Sequence, residues 1–149
     1  MALDIVLAYE FVEFIPDDLK ERTLYISCTY TTAVHKCCCG CGREVVTPLS
    51  PTGWKLIFDG KTVSLYPSIG NWSMPCQSHY FITNNRVVWA PRWTKQQIAR
   101  GRAQEAKSKE RYYSTLQASI TEAPSPSGAL PGGPKPQDTL WRKIKKWFS

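Results

Sequence analysis

"HKCCCGCG", residues 35–42, sets four cysteines and a histidine in eight positions of a chain that has six cysteines and two histidines in all. Gly40 and Gly42 let the backbone turn sharply, so that nearby thiols converge at one bend. "TTAVHK" leads into that bend, and "REVVTPL" leaves it as a short strand ended by Pro48. Adjacent cysteines at 37, 38 and 39 make poor disulfide partners for one another, because a disulfide needs a particular Cα and Cβ geometry. The bend therefore reads as the metal-binding tip of a β structure.

Outward from the bend, the first ninety residues read as strands. "YEFVEFIP" alternates, with Val12 and Phe14 expected to face the core, and "TLYISCTY" is a second strand. "GWKLIFDGKTVSLYP" has the pattern of a hairpin turning at Asp59-Gly60. "SHYFITNNRVVWA" is another hairpin, turning at Asn84-Asn85. Six or seven short strands with tight turns predict a mainly β fold, a small zinc-stabilised sheet or sandwich spanning residues 1–93.

Beyond it the character changes. Residues 94–121 lack proline and are rich in helix formers, with Thr94 as the expected N-cap and only a thin apolar stripe through Ile98, Ala99, Ala103, Ala106, Tyr113 and Leu116. Residues 122–138 are rich in Pro and Gly and predict a flexible linker. In 139–149, Leu140, Trp141, Ile144, Trp147 and Phe148 fall at helical spacing opposite Arg142, Lys143, Lys145 and Lys146. This predicts a basic amphipathic tail helix that meets a membrane surface or a protein partner.

Charge follows the same division. The chain carries a formal +7, yet residues 1–90 hold nine Lys, Arg and His against eight acids, so the excess belongs to the region after Pro91. Attraction to anionic lipid or nucleic acid would reside there, and nothing predicts a specific nucleic-acid partner. No basic n-region precedes the apolar start, no secretory signal is evident, and no apolar run approaches a membrane span. A cytoplasmic, reducing setting is expected, where a cysteine cluster serves metal or chemistry before disulfides.

Zinc takes about four ligands in a tetrahedron. Cys37, Cys39 and Cys41 share one parity and can supply three, while a Cys38-x-x-Cys41 knuckle competes with that set. For the fourth ligand the choices are Cys76, His79, His35 and Cys28, and Cys76, following Pro75 in a loop before a strand, suits best. All-thiolate sites are closed and structural as a rule. "PSIGNWSMPCQSHYF" adds Ser68, Ser73, Ser78 and His79 beside that fourth ligand. Ser78 and His79 are sequence neighbours, so on a strand they point to opposite faces. A Ser78–His35 pair is easier if Cys37 and Cys76 meet at one metal. On the residues alone His79 reads as a zinc ligand or core histidine and Ser78 as a strand-end cap. If the stretch is catalytic, Ser78 is the expected nucleophile with His35 or His79 as base, and Ser68 in the "PSIG" turn is the alternative.

The run from Phe11 to Ala90 resembles a small bacterial family, BubE, once known only as a domain of unknown function. The resemblance is carried by "VHKCCCGCG", "TPLSPTGWKL", "PSIGNW" and "PCQSHYFI". That family's cysteines match Cys37, Cys39, Cys41 and Cys76, and the position of Cys38 varies, which favours the first ligand set. Ser and His stand at the places of Ser78 and His79, and a His at that of His35 in the nearest members. The resemblance implies a zinc-stabilised, serine-type peptidase of bacterial ubiquitin-like conjugation operons, with antiviral defence as their setting. Its substrate would be the C-terminus of a ubiquitin-like protein, and its partners that protein and its activating and conjugating enzymes. The alternative is a non-catalytic, zinc-held module that recruits the same partners.

Overall fold

A computed structural model describes residues 4–122. The expected linker and tail helix, 122–138 and 139–149, lie outside the described residues except for Glu122. Residues up to Thr115 form one compact unit.

The strands form two four-stranded sheets. The first runs in the order β1 (Ala8–Phe11), β2 (Thr23–Ser27), β3 (Thr32–Lys36), β4 (Glu44–Pro48), and the second β5 (Lys55–Phe58), β6 (Val63–Gly70), β7 (His79–Thr83), β8 (Arg86–Trp89). All neighbouring pairs are antiparallel except β1 and β2. One apolar core lies between the sheets. Leu24, Ile26, Ala33 and Val45 come from the first, and Val63, Leu65, Ile69, Tyr80, Ile82 and Val87 from the second. The mainly β sandwich expected from the sequence is what forms. It has eight strands rather than six or seven, because "TAVHK", read only as the lead into the cysteine bend, forms a full strand, β3.

The start of the chain joins both sheets. The Val87 amide donates to the Ile5 carbonyl and the Leu7 amide to the Asn85 carbonyl, after which Ala8 pairs with Thr23. β1 ends at Phe11, earlier than the alternation in "YEFVEFIP" suggests. Phe14 consequently stands 64 % exposed, while Val12 and Ile15 pack on a small cluster of Leu19, Tyr25 and Val34. Strand alternation no longer governs residues that have left the sheet.

Both expected hairpins form. Asn84 and Asn85 both adopt positive φ, the conformation a two-residue turn requires between right-twisted strands. At the other hairpin the Asp59 carboxylate accepts from the Lys61 and Thr62 amides, and those hydrogen bonds hold the carboxyl below its ordinary range. β6 differs from the expected course. Pro67 reads as a strand end, yet β6 continues through it to Gly70, with its register to β7 broken between Leu65 and Ile69. Proline is tolerated in a strand at such a bulge, since no ladder donor is missed there. The bulge also re-aims the side chains within it.

The single described helix, α1 (Lys95–Thr121), starts with a capping box. The Gln97 amide donates to Thr94 Oγ1, and the Thr94 amide donates to Gln97 Oε1. It buries no residue completely, as its thin apolar stripe predicts. Its contact is local: a Cβ at Gly101 would sit 2.8 Å from the Trp93 ring, so only glycine lets that indole lie against the helix.

Candidate functional site

Two sites are built on opposite sides of β7. The first is the cysteine bend. Gly40 and Gly42 take φ of +89° and +76°, which closes residues 37–43 into a loop pinned by the Cys37 amide donating to the Arg43 carbonyl. The loop from Asn71 to Ser78 faces it. It is folded by turns at Met74 and Gln77 and closed by the Asn71 amide donating to the Ser78 carbonyl, and it carries Cys76 toward Cys37. The Sγ atoms of Cys37, Cys39, Cys41 and Cys76 all lie within 4.8 Å of one another and can hold a metal ion. Cys37 Sγ is 3.4 Å from Cys39 Sγ and 3.9 Å from Cys76 Sγ, and Cys41 Sγ is 4.0 Å from Cys76 Sγ.

Cys38 takes no part in that cluster. It lies half-buried on the core, and burial pushes its thiol up to about 12. Cys28, the other spare thiol, is exposed. Burial raises Cys37 as well. At Cys76 burial is the largest single influence and acts in the same direction, but hydrogen bonds from the Ser78 hydroxyl and amide, with those from Cys39 and Cys37, together bring the thiol down to about 7.

Ser78 belongs to this nest. It is buried, 3.1 Å from Cys37 Sγ and 3.6 Å from Cys76 Sγ, and accepts a 2.9 Å hydrogen bond from Asn71 Nδ2. Neither histidine reaches it. His35 is fully buried between the sheets, with Nε2 2.7 Å from the Tyr80 hydroxyl, and burial lowers it to about 4, so the ring is neutral. The step from His35 to Cys37 does match that from Cys76 to Ser78. However, β3 turns His35 into the core, where the Tyr80 hydroxyl meets its Nε2.

The second site lies on the other face of β7, where His79 points. Its Nδ1–H donates to the Pro91 carbonyl at 2.7 Å, which fixes the tautomer and leaves Nε2 as acceptor. The Ser68 hydroxyl lies 2.9 Å from that Nε2 and donates to it. Gly70 is the residue in register with His79, and Ser68, two positions earlier inside the irregular stretch, turns to the same ring. Trp72 and Trp93 flank the imidazole at ring separations of 4.9 and 5.3 Å and stack on each other. Gly70 is needed here too, because a Cβ would collide with the Trp72 indole.

Ser68 and His79 open into a cleft of about 430 Å³, walled by Thr52–Trp54, by the two tryptophans and by Ile98, Gly101, Arg102 and Glu105 of α1. This falls among the roughly 300–1,000 Å³ clefts that take small ligands or a stretch of peptide. A serine donating to a histidine whose other nitrogen is oriented is the arrangement that activates a hydroxyl nucleophile. Sequence reasoning had Ser68 as an alternative and His79 as a base, but not Pro91, Trp72, Trp93, Asn71 or Arg102. None of these has a sequence signal of its own, since each acts through a contact that the fold creates.

A family model described as bacterial ubiquitination-like system serine protease (BubE) matches residues 11–90, more than half of the chain, and the chain belongs to that family. No curated protein and no solved structure matches it.

Proposed function

We propose that the domain is a serine-type peptidase in which Ser68 is the nucleophile and His79 its base, acting at the C-terminus of a ubiquitin-like protein. The observation that carries this reading is the chain of hydrogen bonds from the Ser68 hydroxyl through His79 to the Pro91 carbonyl, opening into a cleft. Ser68 Oγ adds to the scissile carbonyl carbon while its proton passes to His79 Nε2. The imidazolium returns that proton to the departing amine, which leaves an ester on Ser68. Water, deprotonated by the same nitrogen, then releases the acid and restores the hydroxyl. Trp72 and Trp93 shield the ring from solvent and hold it to the rotamer that serves both steps. The expected Ser78 nucleophile gives way to Ser68 because the Ser78 oxygen is committed to Asn71 and the thiols and has no base.

Zinc is the ion this donor set suits. Thiolates about 2.3 Å from zinc stand about 3.8 Å apart in a tetrahedron, and separations of 3.4, 3.9 and 4.0 Å bracket that value. Four sulfurs from Cys37, Cys39, Cys41 and Cys76 leave no open position, so the ion would cross-link the bend to the 71–78 loop and supply no chemistry. The ubiquitin-like tail, an extended peptide, can add to β5. That strand is an edge of its sheet directly after cleft residues Thr52–Trp54. The ubiquitin-like protein and its activating and conjugating enzymes are the partners this reading implies.

The test is cleavage of a ubiquitin-like precursor carrying a C-terminal extension, combined with labelling by a fluorophosphonate and mapping of the modified peptide. Wild type should cleave and label at Ser68, and Ser68→Ala and His79→Ala should do neither. Labelling at Ser78, or cleavage that survives Ser68→Ala, would return the role to Ser78. Binding of the precursor without cleavage or labelling would make the domain a recruiting module.

A further inference from the structure

The wall that α1 contributes to the cleft lies outside the stretch that carries the family resemblance, and its charges are unevenly used. Glu105 is paired with Lys109 at 2.7 Å. Arg102, one turn earlier on the same wall, has no carboxylate within ion-pair distance among the described residues. Its one hydrogen bond goes from Nη2 to the Ser73 hydroxyl at 3.3 Å, a neutral partner that steadies the guanidinium without neutralising it. Lys95 stands with Arg102 around the adjoining hollow beside Trp72. Arg92 approaches from the same side, donating to the Cys76 carbonyl at 3.2 Å. A helix held against Trp93 by Gly101 thus presents an unspent guanidinium to the cleft that contains Ser68 and His79.

We infer that Arg102 is a specificity-determining residue whose guanidinium takes a carboxylate of the substrate next to the scissile carbonyl. The inference rests on the proposed Ser68–His79 chemistry and adds the charge of the substrate to it. A guanidinium presents donors in a fork that matches a carboxylate. The carboxylate is an acidic side chain on the acyl side of the scissile bond, which offers the guanidinium fork its two oxygens.

Small esters separate this from the chemistry it rests on. The full chain is assayed with p-nitrophenyl acetate, with the p-nitrophenyl monoester of glutaric acid, and with the p-nitrophenyl ester of 4-aminobutyrate. These place no charge, a carboxylate or an ammonium a short chain from the same carbonyl. Wild type should favour the glutarate ester over the acetate in kcat/KM by about fivefold, the scale of a solvent-accessible ion pair, mainly through KM. The preference should shrink at high salt. Arg102→Ala should bring the ratio to near one, and Arg102→Glu should invert it in favour of the aminobutyrate ester. A damaged cleft loses all three esters together and cannot produce that inversion. Hydrolysis of all three esters by wild type with equal kcat/KM, or a glutarate preference that survives Arg102→Glu, overturns the inference and leaves the dyad standing. Failure of wild type to hydrolyse any ester, with no fluorophosphonate label on Ser68, overturns both.

Discussion

Ser78 and Ser68 lie ten residues apart on either side of one loop, and their surroundings make them opposites. Ser78 is closed in by Asn71, Cys37 and Cys76, so its oxygen is held by the nest. Ser68 has one strong partner, the acceptor nitrogen of His79, and faces a cleft. The difference lies in which groups surround each oxygen. A hydroxyl among donors and thiols is held as cement, whereas one that donates to an oriented imidazole has the arrangement on which the proposed role of Ser68 rests.

The contrast can be broken most forcefully at the nest itself. Cys37→Ser should remove most of the about 10 kcal/mol or more that a structural zinc contributes to a small domain. Wild-type protein treated with a strong chelator should unfold alongside it in circular dichroism. A folded, metal-free protein by elemental analysis would sever the nest from stability. Next in size, Ser68→Ala should lower kcat/KM on the precursor on the order of 10³-fold or more with melting unchanged.

Ser78→Ala should do the reverse. It leaves the Asn71 amide without its acceptor and costs about 1–3 kcal/mol in denaturant unfolding, while the folded enzyme still cleaves. If both substitutions lowered activity and stability together, the two serines would not be separable. Gly70→Ala should cost about 1–3 kcal/mol through overpacking against Trp72, and the displaced indole should slow turnover at the same time. Smallest of all, deletion of residues 122–149 should leave the melting temperature of the domain where it is. A sharp fall would make the tail part of the packed fold.

The nest was largely legible in the sequence, because metal ligands must lie close together and the glycines that close the bend stand beside them. The alternation rule also put Ser78 and His79 on opposite faces of β7, as they are. It could not say what each face meets. His79 meets Ser68 eleven residues away because β6 continues through Pro67 and pairs with β7 at Gly70, and Pro67 in the sequence reads as the end of that strand. The orienting group is a main-chain carbonyl, which any residue at position 91 would supply, so no side-chain pattern can announce it. The same holds for Phe14, whose exposure follows from where β1 stops rather than from its own apolarity.

That carbonyl has a consequence for how the site responds to its surroundings. Where an aspartate orients a catalytic imidazole it brings a negative charge and a proton acceptor of its own. Pro91 brings neither. The imidazole is therefore oriented without a fixed negative charge, and an anionic substrate meets no repulsion from the group that orients it. The orientation of the His79 ring is set by the course of the chain between β8 and α1, which makes the path into the helix an alignment rail for the proposed chemistry.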